Sequence, residues 1–145
     1  MELAKFPSLQ LLEFEITYRF LRDDLLEILK VLKSSPHVIA LKSLHIHGNV
    51  LRYPKLQESF VEENVAVVCR EIEHVLLASP YVNTVETTFL LGKLKSVSIH
   101  CVVKTLQMAF PNLHQRGLLN IEYSTGKVLF QAIATEYSLN CPNST

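Results

Sequence analysis

Four of the six prolines in this chain stand in the same surroundings, and that recurrence constrains the fold more than any other feature. Each follows an apolar stretch of helical character and a small or aromatic residue, and Leu or Val comes two positions later. The segments run from Leu3 to Leu9 around Pro7, Leu32 to Val38 around Pro36, Leu76 to Val82 around Pro80, and Gln107 to Leu113 around Pro111. A proline ring clashes with the preceding helical turn and lacks the N–H that a helix would use, so helices stop just before it. The pattern predicts one event four times: a helix ends, the chain turns, and a strand begins. Such self-similarity marks a repeat architecture, in which one unit stacks on the next.

Alternating segments follow the prolines. Leu41, Leu44, Ile46 and Asn49 fit L-x-x-L-x-L-x-x-N, the leucine-rich-repeat signature, whose apolar residues enter the core while their neighbours face the other way. Leu9, Leu12 and Phe14 fit the same frame, with Thr17 in the place of Asn. Leu94 to His100 nearly copies 41–47, and Leu119, Ile121 and Tyr123 keep the alternation. Between them lie amphipathic helices. Leu21, Leu25, Ile28, Leu29 and Leu32 recur at helical steps opposite Arg22, Asp23, Glu27, Lys30 and Lys33. Val65, Val68, Ile72, Val75 and Leu76 do the same, with Glu63, Arg70, Glu71 and Glu73 expected outward. Both apolar stripes are read as packing on the sheet.

The expected fold is therefore α/β: a short right-handed leucine-rich-repeat-like solenoid of strand-helix repeats with a curved, largely parallel sheet. Its inner ladder is Leu12, Phe14, Leu44, Ile46, Val97, Ile99, Leu119 and Ile121. Residues 1–134 make the domain, read as truncated at its N-terminal end, and 135–145 a polar tail. An open edge at strand 9–17 would permit self-association. Segment 48–62 is the longest expected loop. Two places leave a hairpin open. Thr84 to Leu91 also alternates, and Gly92 and Lys93 alone separate it from Leu94, too few residues for a parallel crossover. The alternatives there are a hairpin near 84–101 or two repeat strands; Gly126 poses the same question near 118–133.

Composition narrows the function classes. With 145 residues, 48% hydrophobic and 19% charged, the chain holds one domain with a sizeable core. Lys plus Arg and Asp plus Glu are 14 each, so no net charge argues for nucleic acid or an anionic membrane surface. Cys69, Cys101 and Cys141 are widely spaced, which speaks against a disulfide framework or zinc; Cys69 and Cys101 read as small core side chains. No secretory signal or membrane span is evident, and the expected compartment is cytoplasmic, nuclear or both. Asn143, Ser144 and Thr145 match a glycosylation acceptor but read as part of the polar tail.

The run from Leu94 to His100, a short helix, and the stretch from Phe110 to Tyr123 with Arg116, Gly117, Leu118 and Leu119 together resemble the C-terminal end of fungal F-box proteins with leucine-rich repeats. Ile28 to Val38 looks like their inter-repeat helix. The likeness covers roughly residues 6–123. It implies a substrate-recognition array of a ubiquitin-ligase adaptor. The segment before Phe6 is too short for an F-box, so contact with a Skp-type adaptor is expected only if an F-box exists upstream.

Motifs for chemistry are lacking. There is no GxGxxG, Walker loop, HExxH or G-x-S-x-G, and no catalytic residue, cofactor or metal is assigned. His45 and His47 share one strand face, but no neighbouring Cys or carboxylate cluster is evident to complete a metal shell. Glu62 and Glu63 read as helix N-terminal charges favoured by the dipole. The expected function is a non-catalytic scaffold that binds a protein partner. The alternatives are a free-standing leucine-rich-repeat protein unrelated to ubiquitin transfer, or a small α/β ligand-binding domain or enzyme. The partner-binding face is assigned to Glu13 and Glu15, His45 and His47, Ser98 and His100, and Asn120 and Glu122. In-register pairing would set Glu15 beside His47 and His100 beside Glu122.

Overall fold

Alternation of apolar and polar residues fixes the strands, and helical periodicity fixes what covers them. In the computed structural model, strands β1 (Leu11–Glu15), β2 (Ser43–His47), β3 (Glu86–Lys93), β4 (Leu119–Ser124) and β5 (Leu129–Ala132) form one sheet in sequence order. The first four run parallel, and β5 pairs antiparallel with β4. Helices α1 (Leu21–Lys33), α2 (Glu63–Leu77), α3 (Ser96–Ala109) and α4 (Pro111–Gln115) connect the parallel strands. The structure describes residues 8–17, 19–34, 41–48, 59–78, 85–93, 96–124 and 129–132. The expected polar tail, Cys141, Pro7, Pro36, Pro80 and most of the 48–62 loop lie outside the described residues; within that loop, residues 59–61 are helical and bury Phe60.

One face of the sheet is covered. Leu12, Leu44, Ile46, Phe89, Leu119 and Ile121 are buried in a single core with Leu25, Ile28 and Leu32 of α1, Val68 and Ile72 of α2, and Val103 and Leu106 of α3. Phe14 is half-buried against the same core. Strands that add in sequence order, with every helix on one face, require every parallel crossover to have the same hand. In α1, Asp23 and Asp24 lie in the first turn and Lys30 and Lys33 near the last, complementing the helix dipole. The Asp24 carboxylate accepts the Thr17 N–H at 2.9 Å, which ties the exit of β1 to the first turn of the helix.

Several expectations are corrected. The third ladder strand is β3, not 94–100: Thr87 stands between Leu44 and Leu119, and Phe89 between Ile46 and Ile121. Val97 and Ile99 belong to α3, so they are not ladder residues. The physical reason is the helical run 102, 103, 106 and 110, all buried, which extends the segment as a helix. This also removes the hairpin near 84–101, since β3 is parallel to both neighbours. Gly92, with φ 69°, sits where the β3–β4 register shifts, a bulge position rather than a hairpin turn. The hairpin near 118–133 does form, as β4 and β5. Pro111 does not lead into a strand; it opens α4, where a proline costs nothing at the first helical position. In each of three cases a helix does end shortly before the proline: α1 at Lys33, α2 at Leu77 and α3 at Ala109.

Glu73 is a further correction: the helical pattern expects it outward, but it is 2% exposed. Its carboxylate accepts the backbone N–H groups of Asn112 (2.8 Å) and Leu113 (2.9 Å) and the Asn112 side-chain amide (2.7 Å). It thereby satisfies donors at the start of α4 that the helix itself leaves unpaired. At the other end of α4, Gly117 at φ 71° donates to His114 and Leu118 donates to Leu113, a Schellman closure that aims the chain into β4.

Candidate interaction face

The side of the sheet that none of the described helices covers is built by residues one step out of phase with the core, of which Thr88 is itself buried. Register puts Glu13, His45, Thr88 and Asn120 in one row across β1 to β4, and Glu15, His47, Leu90 and Glu122 in the next. A third row holds Leu11, Ser43 and Glu86. Glu13 and Glu15 are exposed, and the two histidines, Asn120 and Glu122 are half-buried by their neighbours on adjacent strands.

Six of the expected face residues are thus brought together: Glu13, Glu15, His45, His47, Asn120 and Glu122. Ser98 and His100 are not, because they lie on α3. The row neighbours of Glu122 are Leu90 and Gln131, so the expected His100–Glu122 pair does not form across the sheet. Glu15 is in register with His47 as expected. The carboxylate close to that histidine, however, is Glu13. Its Oε1 lies 3.8 Å from His47 Nε2 and 3.6 Å from His45 Nδ1, one oxygen shared between two rings. These are ion pairs only when the imidazoles are protonated.

Sequence reasoning missed Ser43, Glu86, Thr88 and Leu90. The signal was present: once 84–91 is taken as a repeat strand, alternate positions fall on this face. Among the described residues, no group of three His, Cys, Asp or Glu side chains is placed to hold a metal ion. Among them also, no helix is long and apolar enough to cross a membrane.

Away from the face, the thiols sit in the core. Cys69 is fully buried and Cys101 nearly so, both free. Burial, with a smaller contribution from the Glu73 carboxylate, pushes the Cys69 thiol up to about 12 from an ordinary 9.0. A thiol held protonated by burial is a poor nucleophile at neutral pH.

Comparison with family models, with curated proteins and with solved structures gives no match to this chain.

Proposed function

We propose that this chain is a non-catalytic protein-interaction scaffold of leucine-rich-repeat type, which docks a protein partner on the uncovered face of its sheet. The observation that carries the reading is the division of the sheet. One face is sealed by helices, and the other presents rows of mainly polar side chains, with Leu11 and Leu90 among them, on parallel strands. Side chains on strands are held in fixed register, which suits recognition better than mobile loops do. The likeness to F-box proteins with leucine-rich repeats adds a partner class, the substrate of a ubiquitin ligase. A Skp-type adaptor enters only through an F-box encoded upstream in frame.

Photo-crosslinking tests the docking. A crosslinking side chain placed at Asn120, on the face, should capture one protein reproducibly in cells. The same group at Arg70, exposed on α2, should not. Capture from Arg70 alone, or from neither position, overturns the reading.

A further inference from the structure

Strand β1 ends the sheet, and among the described residues no further strand lies beside it. Ser43 donates its backbone N–H to the Gln10 carbonyl at 3.0 Å, and Ile16 donates to the His47 carbonyl at 2.8 Å. The alternation of a parallel ladder then turns the N–H and C=O groups of Leu12 and Phe14 toward β2, and those of Leu11, Glu13 and Glu15 away from it. Donors and acceptors pointing off an edge at strand spacing are a template for one more strand. A second, independent observation comes from the core. Phe14, Ile46, Phe89 and Ile121 form one row, in which the last three are at most 1% exposed while Phe14 stays half-buried. The ladder is incompletely covered at the same edge that turns its backbone groups outward.

We infer that the β1 edge takes up an extended segment of a partner protein as an added strand, in which apolar residues alternate with lysine or arginine. This site is separate from the docking face proposed above and does not rest on it. The alternation follows from the two sides of β1. On the covered side the added strand lies beside Phe14, where an apolar side chain completes the row and removes more of that ring from water. On the other side it lies beside Glu13 and Glu15, both exposed, and opposite charges across a strand pair are favourable. A second copy of the chain fits the edge worse. Centred on Glu13, an antiparallel pair of copies sets the two Glu13 carboxylates directly opposite each other. Shifted by one register step, it sets Glu13 against Glu15 or against Leu11.

Hydrogen exchange and peptide titration of the full chain test this. In the free monomer, the amides of Leu11, Glu13 and Glu15 should exchange about tenfold or more faster than those of Leu12, Phe14 and Ile16. A synthetic peptide of alternating valine and lysine should slow the first three about tenfold or more and shift the signals of Phe14. The same peptide with every amide N-methylated should not bind, because it cannot donate to the ladder. A valine–glutamate peptide of equal length should bind about fivefold or more weakly than the lysine peptide, and the double variant Glu13→Gln, Glu15→Gln should erase most of that preference. Equal protection of all six amides in the free monomer would mean that the edge is already occupied, and protection that appears only on dimerisation would assign it to a second copy; either overturns the inference. So does an absence of binding, equal binding of the methylated or the glutamate peptide, or indifference to the double variant. The docking face is read separately at Asn120, on β4, and stands or falls by its own crosslinking result.

Discussion

On the covered face of the sheet, Leu12, Leu44, Ile46, Phe89 and Ile121 form a ladder at most a few per cent exposed. On the other face, their immediate chain neighbours Glu13, His45, His47, Thr88 and Glu122 look away from that core. The same strands therefore carry two kinds of constraint. Covered positions are fixed by volume, because a packed interior tolerates neither a void nor an unpaired polar group. Open positions bear little of the fold's stability and leave side-chain identity free for recognition. The contrast makes quantitative demands on both faces.

The largest effect belongs to the ladder. Phe89 is fully buried, and its ring lies 5.5 Å from that of Phe110, centroid to centroid, at 45°. Phe89→Ala should cost about 3–5 kcal/mol, through lost burial and the cavity left behind. Denaturant unfolding measures it; a loss below about 1 kcal/mol would remove β3 from the centre of the sheet. Next comes Glu73, a buried charge with three hydrogen bonds to the start of α4. Glu73→Ala should cost about 2–3 kcal/mol, because it strands the donors of Asn112 and Leu113 away from an acceptor. Amide exchange at those two residues should accelerate more than exchange in α1, which separates the loss of a cap from general destabilisation.

The N-terminal part of the fold was readable because β1, α1, β2 and α2 keep one period each. Leu44 and Ile46 alternate without interruption, and the α1 stripe from Leu21 to Leu32 holds throughout. The third strand broke the reading for a chemical reason. Its ladder position next to Leu44 is Thr87, so β3 lacks the leucine that a repeat pattern seeks there. The 94–100 segment carries that lettering by coincidence but continues as a helix. The face inherited this error: Ser98 and His100 replaced Thr88 and Leu90. Glu73 was unreadable for another reason. Its partners are some 40 residues away in sequence, and no local pattern distinguishes a capping carboxylate from a solvated one.

Cys69 tests the covered side by pH. Its thiol is raised to about 12 in the fold against 9.0 without it, so the folded state binds the proton more tightly. Stability from this group is whole below pH 9 and is lost as pH climbs toward 12, at about 1.4 kcal/mol per unit while the unfolded thiol alone ionises. Cys69→Ala should have a shallower alkaline decline than the parent, and parallel profiles would place the thiol in contact with water. Thr87 gives a smaller effect of opposite sign. It is fully buried, and among the described residues its hydroxyl has no hydrogen-bond partner. Thr87→Val keeps the shape and removes the unpaired group, so stability should rise by about 1 kcal/mol. A loss instead would mean that the hydroxyl finds a partner in solution.

The smallest effect is expected on the open face, and it is the sharpest test of the contrast. Glu13 is the most connected side chain there, since its carboxylate approaches both His45 and His47. The approaches are long, at 3.6 and 3.8 Å, and the Glu13 side chain is 56% exposed. Attraction between such groups is screened by water and offset by the entropy of holding them, which leaves about 0–1 kcal/mol for an exposed pair. Glu13→Gln should therefore shift stability at pH 8 by less than about 0.5 kcal/mol, while Phe89→Ala, one row away on the next strand but one, removes several. A Glu13→Gln loss above about 1 kcal/mol would show that the open face helps to hold the sheet together. Its carboxylates would then be part of the fold, and their removal could no longer be used to measure binding alone.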